Sequence, residues 1–258
     1  MSTPPPQLPT IVLDLWMTSV TVIQIMSTGK APNPCNVGSA TGFFYKKGED
    51  KYLITNRHVV VQERKGFYPD SFKLRIHTNR SDLTQNRDVT IYDTDGTPFW
   101  LEHPLRTNQN EIDIIAININ SYLEAQDFIS CWSVRNFKSP EEIISLGDLV
   151  LVMGYPMKFY DSINNLPIPK SGTLASPYLV GFQNKPIFLI DANLQKGMSG
   201  SPVVLPERTS RRTRTALMNV GRFPALLLGI YSAEVFKGIS LGLHVVWYPN
   251  LIQEIVSQ

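Results

Sequence analysis

Cysteine is scarce. Cys35 and Cys131 are the only two in 258 residues, too few and too widely spaced for a disulfide framework. A single bridge, a reactive thiol, or two small buried apolar residues all fit that count, and so does a reducing compartment. Long apolar runs are also missing. The N-terminus, Met1-Ser2-Thr3-Pro4-Pro5-Pro6, has no positive charge before Lys30, and the apolar stretch behind it is broken by Asp14, Thr18, Ser19 and Gln24. This pattern matches neither a signal peptide nor a membrane span, so a cytoplasmic protein without a membrane partner is expected. Neither sign of charge dominates. With 24 Lys and Arg against 22 Asp and Glu the formal charge is +2, which implies no particular partner class. No repeat of 20–50 residues is visible, and no helical pattern alternates with the strand-like runs, which argues against a parallel α/β sheet.

What is present is the texture of an all-β protein. Hydrophobic residues make up 43% and charged residues 18%, ordinary for a globular chain and inconsistent with wholesale disorder. A Pro-rich lead-in covers residues 1–9, and residues 11–16 fit a short amphipathic helix or a strand. From Ser19 onward, short β-branched and aromatic runs are separated by turn residues. A first series is expected at 19–25, 41–45, 51–55, 73–77, 88–92 and 113–119. A second is expected at 149–153, 171–175, 186–190, 202–205, 225–231 and 243–247. Between them, Phe137 to Glu142 is polar, contains Ser-Pro and reads as a linker. Six strands, a linker and six more predict two six-stranded antiparallel β-barrels side by side. The implied division is a lead-in at 1–18, a first barrel at 19–136 and a second at 137–258. Leu251, Ile252, Ile255 and Val256 follow Pro249 at helical spacing and predict a C-terminal helix.

Three stretches carry chemistry. In Gln195-Lys196-Gly197-Met198-Ser199-Gly200-Ser201-Pro202-Val203-Val204, glycines flank a serine on a tight loop that delivers into a strand. A serine hydroxyl is a weak nucleophile that needs a base within hydrogen-bond reach and donors for a developing oxyanion. In Tyr52-Leu53-Ile54-Thr55-Asn56-Arg57-His58-Val59-Val60 an apolar strand ends in polar residues, with a histidine where the chain turns. In Glu111-Ile112-Asp113-Ile114-Ile115-Ala116-Ile117 a carboxylate opens an unbroken apolar run and needs solvent or a partner. Taken singly, each has an ordinary meaning: a Gly-Ser turn, a half-buried strand-end histidine, an aspartate marking a strand start. Together they occur in the order His, Asp, Ser, which is that of the chymotrypsin scaffold.

On these residues the chain resembles the trypsin-like, chymotrypsin-fold serine proteases, in the bacterial branch of the HtrA proteases and glutamyl endopeptidases. Leu53-Ile54-Thr55-Asn56-Arg57-His58-Val59-Val60 is similar to the catalytic-histidine motif, and Asp113 to Ile117 to the aspartate motif. Asp191-Ala192 with Gly197-Met198-Ser199-Gly200-Ser201-Pro202 is similar to the nucleophile motif, and Gly154-Tyr155-Pro156 also fits. The resemblance spans about residues 19–257. It implies Ser199 as nucleophile, His58 as general base, Asp113 as the group that orients the imidazole, and the Gly197 and Ser199 N–H groups as the oxyanion hole. It places Ser232 behind the triad and makes Ser232, Ala233 and Glu234 an edge for substrate pairing. The first substrate pocket would be built from Asn193, Leu194, Ser232–Glu234 and the strand at His244. Asn193 stands where trypsin has an aspartate, so a strong Lys or Arg preference is not implied, while His244 would suit an acidic or amide side chain or be structural.

The resemblance implies a protein or peptide substrate and neither a metal nor a cofactor. Two departures stand out. Met198 replaces the aspartate that receives a new N-terminus in members activated by cleavage, and the sequence after the terminal helix is too short for the PDZ module of the HtrA branch. The stretch from Arg208 to Arg214 lies outside the family pattern and reads as a solvated loop. Its arginines could meet phosphates, but without interleaved aromatics a nucleic-acid partner is not expected. Nothing in the sequence specifies an oligomeric state.

Overall fold

The structure is a computed structural model describing residues 15–27, 35–61, 71–92, 99–105, 112–215, 219–236 and 241–258. Where a strand has one solvent side, alternating apolar and polar residues set its buried face, as in Ser71–His77, where Phe72, Leu74 and Ile76 are buried and Lys73 and Arg75 are only partly covered. The first lobe contains β1 (Val20–Ser27), β2 (Cys35–Lys47), β3 (Asp50–Thr55), the single turn α1 (Arg57–Val60), β4 (Ser71–His77), β5 (Asn86–Tyr92), β6 (Leu101–Glu102) and β7 (Ile115–Asn118). They form an antiparallel sheet in the order β5-β4-β1-β2-β3-β7-β6. Its far strands are drawn together by the chain that follows β7. Arg87 of β5 donates to the Tyr122 carbonyl at 2.9 Å and to both Asp127 oxygens at 2.7 and 2.5 Å. The Phe128 N–H donates to the His77 carbonyl at 2.7 Å.

The second lobe contains β8 (Glu142–Ile143), β9 (Leu149–Gly154), β10 (Ile168–Leu174), β11 (Ile187–Ala192), β12 (Pro202–Leu205), β13 (Arg208–Thr213), β14 (Asn219–Phe223), β15 (Leu226–Glu234) and β16 (Leu243–Trp247). Six of these close a barrel in the order β10-β11-β16-β15-β12-β9, and β14-β13-β8 form a small separate sheet. The fold is therefore an all-β, chymotrypsin-like double barrel with a short C-terminal helix, α2 (Asn250–Ile255). One apolar cluster is shared by both lobes. Val20, Phe43, Tyr45 and Ile54 pack with Met153, Tyr155, Ile230 and Trp247, and α2 adds Leu251, Ile252 and Ile255. Helix α2 is also pinned to the first lobe. Tyr45 Oη donates to Gln253 Oε1 at 2.8 Å, Lys47 Nζ to the Val256 carbonyl at 2.9 Å, and buried His103 Nε2 to Glu254 at 2.8 Å.

The Arg208–Arg214 stretch differs from the expected solvated loop. Residues 208–213 form β13, whose arginines find partners remote in sequence. Arg208 pairs with the buried Glu142, Arg212 reaches Asp148 at 3.3 Å, and Arg211 lies over the Phe223 ring at 4.5 Å. The short strands β6 and β8 were also not expected. Residues 11–14 of the possible N-terminal helix or strand lie outside the described residues, and so does the Cys35 side chain. Cys131 is a half-buried free thiol at the rim of the first-lobe core, pushed up to about 11 by burial. Among the described residues no helix is long and apolar enough to cross a membrane.

Burial pushes the Asp127 carboxyl up. The hydrogen bonds from Arg87 and the Glu124 N–H, together with the Arg87 charge, outweigh that and hold it below the ordinary carboxylate range. The pair therefore stabilises the fold above the unfolded carboxyl range, and the contribution is lost as pH falls through the depressed value. Arg87→Ala is expected to cost about 3 kcal/mol in urea unfolding at neutral pH. The cost should shrink at a pH low enough to protonate Asp127.

Candidate active site

Asp113 precedes β7 by two residues, and its side chain is 19% exposed. Its carboxylate accepts three hydrogen bonds. The His58 main-chain N–H donates to Oδ1 at 2.9 Å, His58 Nδ1 to Oδ2 at 2.7 Å, and Ser232 Oγ to Oδ2 at 2.6 Å. Because a carboxylate only accepts, Nδ1 carries the proton, and Nε2 is the acceptor nitrogen of the neutral ring. His58 is aimed by its own turn. Val59 and Val60 of α1 are buried in the first-lobe core, leaving the imidazole 42% exposed on the opposite side. Asn56, fully buried at the start of that turn, donates from Nδ2 to the Asp113 carbonyl at 2.8 Å. Arg57 donates to Glu102 at 2.9 Å and ties the turn to β6.

From the second lobe, Ser199 Oγ donates to the Ser232 carbonyl at 3.1 Å. Ser232 thus touches Ser199 with its backbone and Asp113 with its side chain. His58, Asp113, Ser232 and Ser199 form one hydrogen-bonded chain across the two lobes.

The loop before Ser199 has a fixed shape. Gly197 and Gly200 have φ of 95° and 86°, conformations that side chains rarely adopt. The Lys196 carbonyl accepts from the Met157 N–H at 2.6 Å, and the Met198 carbonyl from the Ser201 N–H at 2.9 Å. In a trans peptide the N–H points opposite to the carbonyl. The Gly197 and Ser199 N–H groups are therefore held facing away from those two acceptors, and neither has a partner among the described residues. Thr41 of β2 clamps the same loop. Its N–H donates to the Ser199 carbonyl at 3.0 Å and its Oγ1 to the Gly197 carbonyl at 2.8 Å, while Oγ1 accepts from the Tyr155 N–H at 3.1 Å. Met198 is completely buried in the second-lobe core, so an apolar side chain occupies the place before Ser199.

A cavity of about 450 Å³ opens beside the loop, and Asn193, Leu194 and His244 line it together with Asp191, Ala192 and Gly242. Ser232, Ala233 and Glu234 do not line it. They continue β15 alongside, where Glu234 pairs with His244. His244 is 3% exposed, with Nε2 donating to the Ala192 carbonyl at 2.8 Å and the ring edge-on to Tyr231. Its Nδ1 is buried and has no partner among the described residues. Burial pushes the His244 pKa down, and the Ala192 bond and the charges of Glu234 and Asp191 only partly oppose that, so the ring is neutral. Asp191 and Thr41 were not singled out from the sequence. Asp191 lies in the quoted Asp191-Ala192 pair, and nothing local marks Thr41. Among the described residues no group of three or more His, Cys, Asp or Glu is arranged to hold a metal ion.

A two-lobed β fold in which a glycine-flanked serine of one lobe is linked through Ser232 and Asp113 to a histidine of the other defines a peptidase-like architecture. The sequence pattern of the trypsin-like peptidase domain matches residues 40–209, and the chain belongs to that family. A search of curated proteins gives no match.

A Cβ on residue 197 would lie 2.5 Å from the Tyr155 carbonyl oxygen, in addition to the strain of the positive φ. Gly197→Ala is expected to lower stability by about 2 kcal/mol, measured by thermal or urea unfolding. Ala at Gly221, where nothing crowds a Cβ closer than 3.5 Å, should cost far less.

Proposed function

We propose that the chain is a serine endopeptidase acting through His58, Asp113 and Ser199, of the kind found in the HtrA and glutamyl-endopeptidase branch. Its first lobe would cover residues 19–136 and its second 137–258. Ser199 Oγ attacks the scissile carbonyl carbon as its proton passes to His58 Nε2, and the electron pair displaced from the carbonyl becomes an oxyanion. The Gly197 and Ser199 N–H groups receive that oxyanion. As the tetrahedral adduct collapses, the C–N bond breaks and the leaving nitrogen takes the proton from His58. Water then repeats the sequence on the acyl-enzyme, losing its proton to His58 and releasing Ser199. Asp113 holds the tautomer and stabilises the imidazolium formed in each half. No metal or cofactor takes part in these steps.

The observation that supports this most is Ser232, which bonds to Ser199 with its carbonyl and to the carboxylate holding His58 with its hydroxyl. The unpartnered, oriented amides of Gly197 and Ser199 support the oxyanion role. Ser232, Ala233 and Glu234 would pair with the acyl half of an extended peptide.

A fluorophosphonate probe is expected to label the wild type and to leave Ser199→Ala and His58→Ala unlabelled. Ser199→Ala should also lower kcat by about 10⁴–10⁶-fold. Unchanged turnover by Ser199→Ala would rule out the mechanism, and an unlabelled wild type would favour a scaffold that keeps the fold without turnover.

Asn193, Leu194 and His244 would wall the pocket for the residue preceding the cut. That cavity holds the Asp191 carboxylate and a neutral histidine, and among the described residues no Lys or Arg lines it. Such a pocket accepts hydrogen bonds and repels a second carboxylate, so of the two side chains that suit a pocket histidine it favours the amide. Peptides cleaved after Gln are expected to give kcat/KM about 10-fold above their Glu counterparts at neutral pH. Asp191→Asn should narrow that ratio, and a Glu preference in the wild type would refute the assignment.

A further inference from the structure

The chain beyond β9 carries an apolar surface that the chemistry above leaves unused. Met157, Phe159 and Ile163 are 74%, 73% and 69% exposed within seven residues. The segment bearing them is fastened at both ends. At its start Tyr155 is fully buried, with Oη donating to the Val20 carbonyl at 3.1 Å, and the Met157 N–H holds the Lys196 carbonyl. Met157 and Lys158 take positive φ of 51° and 63°, and the Phe159 N–H closes the turn onto the Pro156 carbonyl at 2.7 Å. At its far end Asp161 accepts from the Ile163 and Asn164 N–H groups, both at 3.1 Å. His77 Nε2 donates to the Asn164 carbonyl at 2.8 Å, and Asn165 Nδ2 to the Arg75 carbonyl at 3.0 Å. Large apolar side chains presented on a braced segment mark an interaction surface.

Strand order identifies the occupant. In the second barrel β12 lies between β15 and β9. Pro202 pairs with Ile230 of β15, and Val203 with Val152 of β9. The chain beyond β15 and the chain beyond β9 therefore flank the Ser199–Gly200 turn from opposite sides. The β15 side is the edge assigned above to the acyl half of the substrate, so a peptide crossing Ser199 carries its leaving half over the β9 side. Met157 follows β9 on that side, and its N–H holds the Lys196 carbonyl, in the peptide plane whose opposite edge carries the Gly197 N–H.

We infer that Met157 and Phe159 form an apolar seat for the leaving half of the substrate, so that cleavage favours bonds followed within two residues by a large aliphatic or aromatic side chain. This rests on the peptidase reading, and covering either side chain removes apolar surface from water only when such a residue is present.

The test is digestion of a complex library of denatured peptides, with cut sites read by mass spectrometry. The readout is the ratio of cuts followed within two residues by Leu, Ile, Met or Phe to cuts followed by Gly, Ser or Asp, corrected for library composition. As a ratio within one digest it does not depend on the amount of active protein. The wild type is expected to give about 5–10-fold enrichment. Phe159→Ser and Met157→Ser should each reduce it about threefold or more, and Phe159→Leu should retain it. A wild-type ratio near one, or a ratio that neither serine variant changes, overturns the inference. A wild type that cuts nothing and takes no fluorophosphonate label removes the peptidase reading and this inference with it, whereas cutting without enrichment removes this inference alone.

Discussion

The Asp113 carboxylate is the constraint on which the rest of the cleft depends. Mostly buried, it would be costly to ionise alone, and three donors offset that cost. Two come from one residue, the main-chain and ring nitrogens of His58, so the carboxylate sets the position of the turn as well as the orientation of the imidazole. The third comes from Ser232 in the other lobe. One side chain thereby gathers the end of β3, the start of β7 and the end of β15. Each of these segments is held elsewhere by apolar burial, through Ile54, Ile115 and Ile230.

Beneath the cleft the lobes share a core, and α2 completes it. Tyr45 illustrates the arrangement, with its ring in the shared cluster and its hydroxyl on Gln253 of the helix. Buried His103 also reaches the helix. Its Nδ1 accepts from the Leu105 N–H at 3.1 Å, which leaves Nε2 to donate to Glu254. Polar contacts set the helix's position on the first lobe, and Leu251, Ile252 and Ile255 supply the apolar contact.

Most of this was legible in the sequence where the signal is local. Pro202–Leu205 and Leu243–Trp247 match at both ends, because a β-branched or aromatic run bounded by turn residues needs no distant information. The aspartate heading Ile114 to Ile117 was legible as a carboxylate in need of a partner, since the run behind it had to be buried. Features that depend on remote partners were not legible. The arginines of β13 look like a solvated run until Glu142, 66 residues away from Arg208, is brought beneath them. Asp191 stands in the sequence only as part of the nucleophile motif, and its place in the cavity appears when Gly242 and His244 fold beside it. Strand β2 extends well beyond its apolar centre at 41–45 because β1 offers it partners as far as Cys35. Its flanks have no pattern of their own.

Thr41 joins these two levels. It belongs to the first lobe, yet it holds the Ser199 and Gly197 carbonyls and receives the Tyr155 amide, while its own carbonyl accepts from Thr55 at 2.8 Å. The curvature of the glycine loop is thus held by the opposite lobe as well as by the loop's own bonds. Any displacement of Thr41 against the second lobe would therefore be passed on to the Gly197 and Ser199 carbonyls and to the shape of the loop.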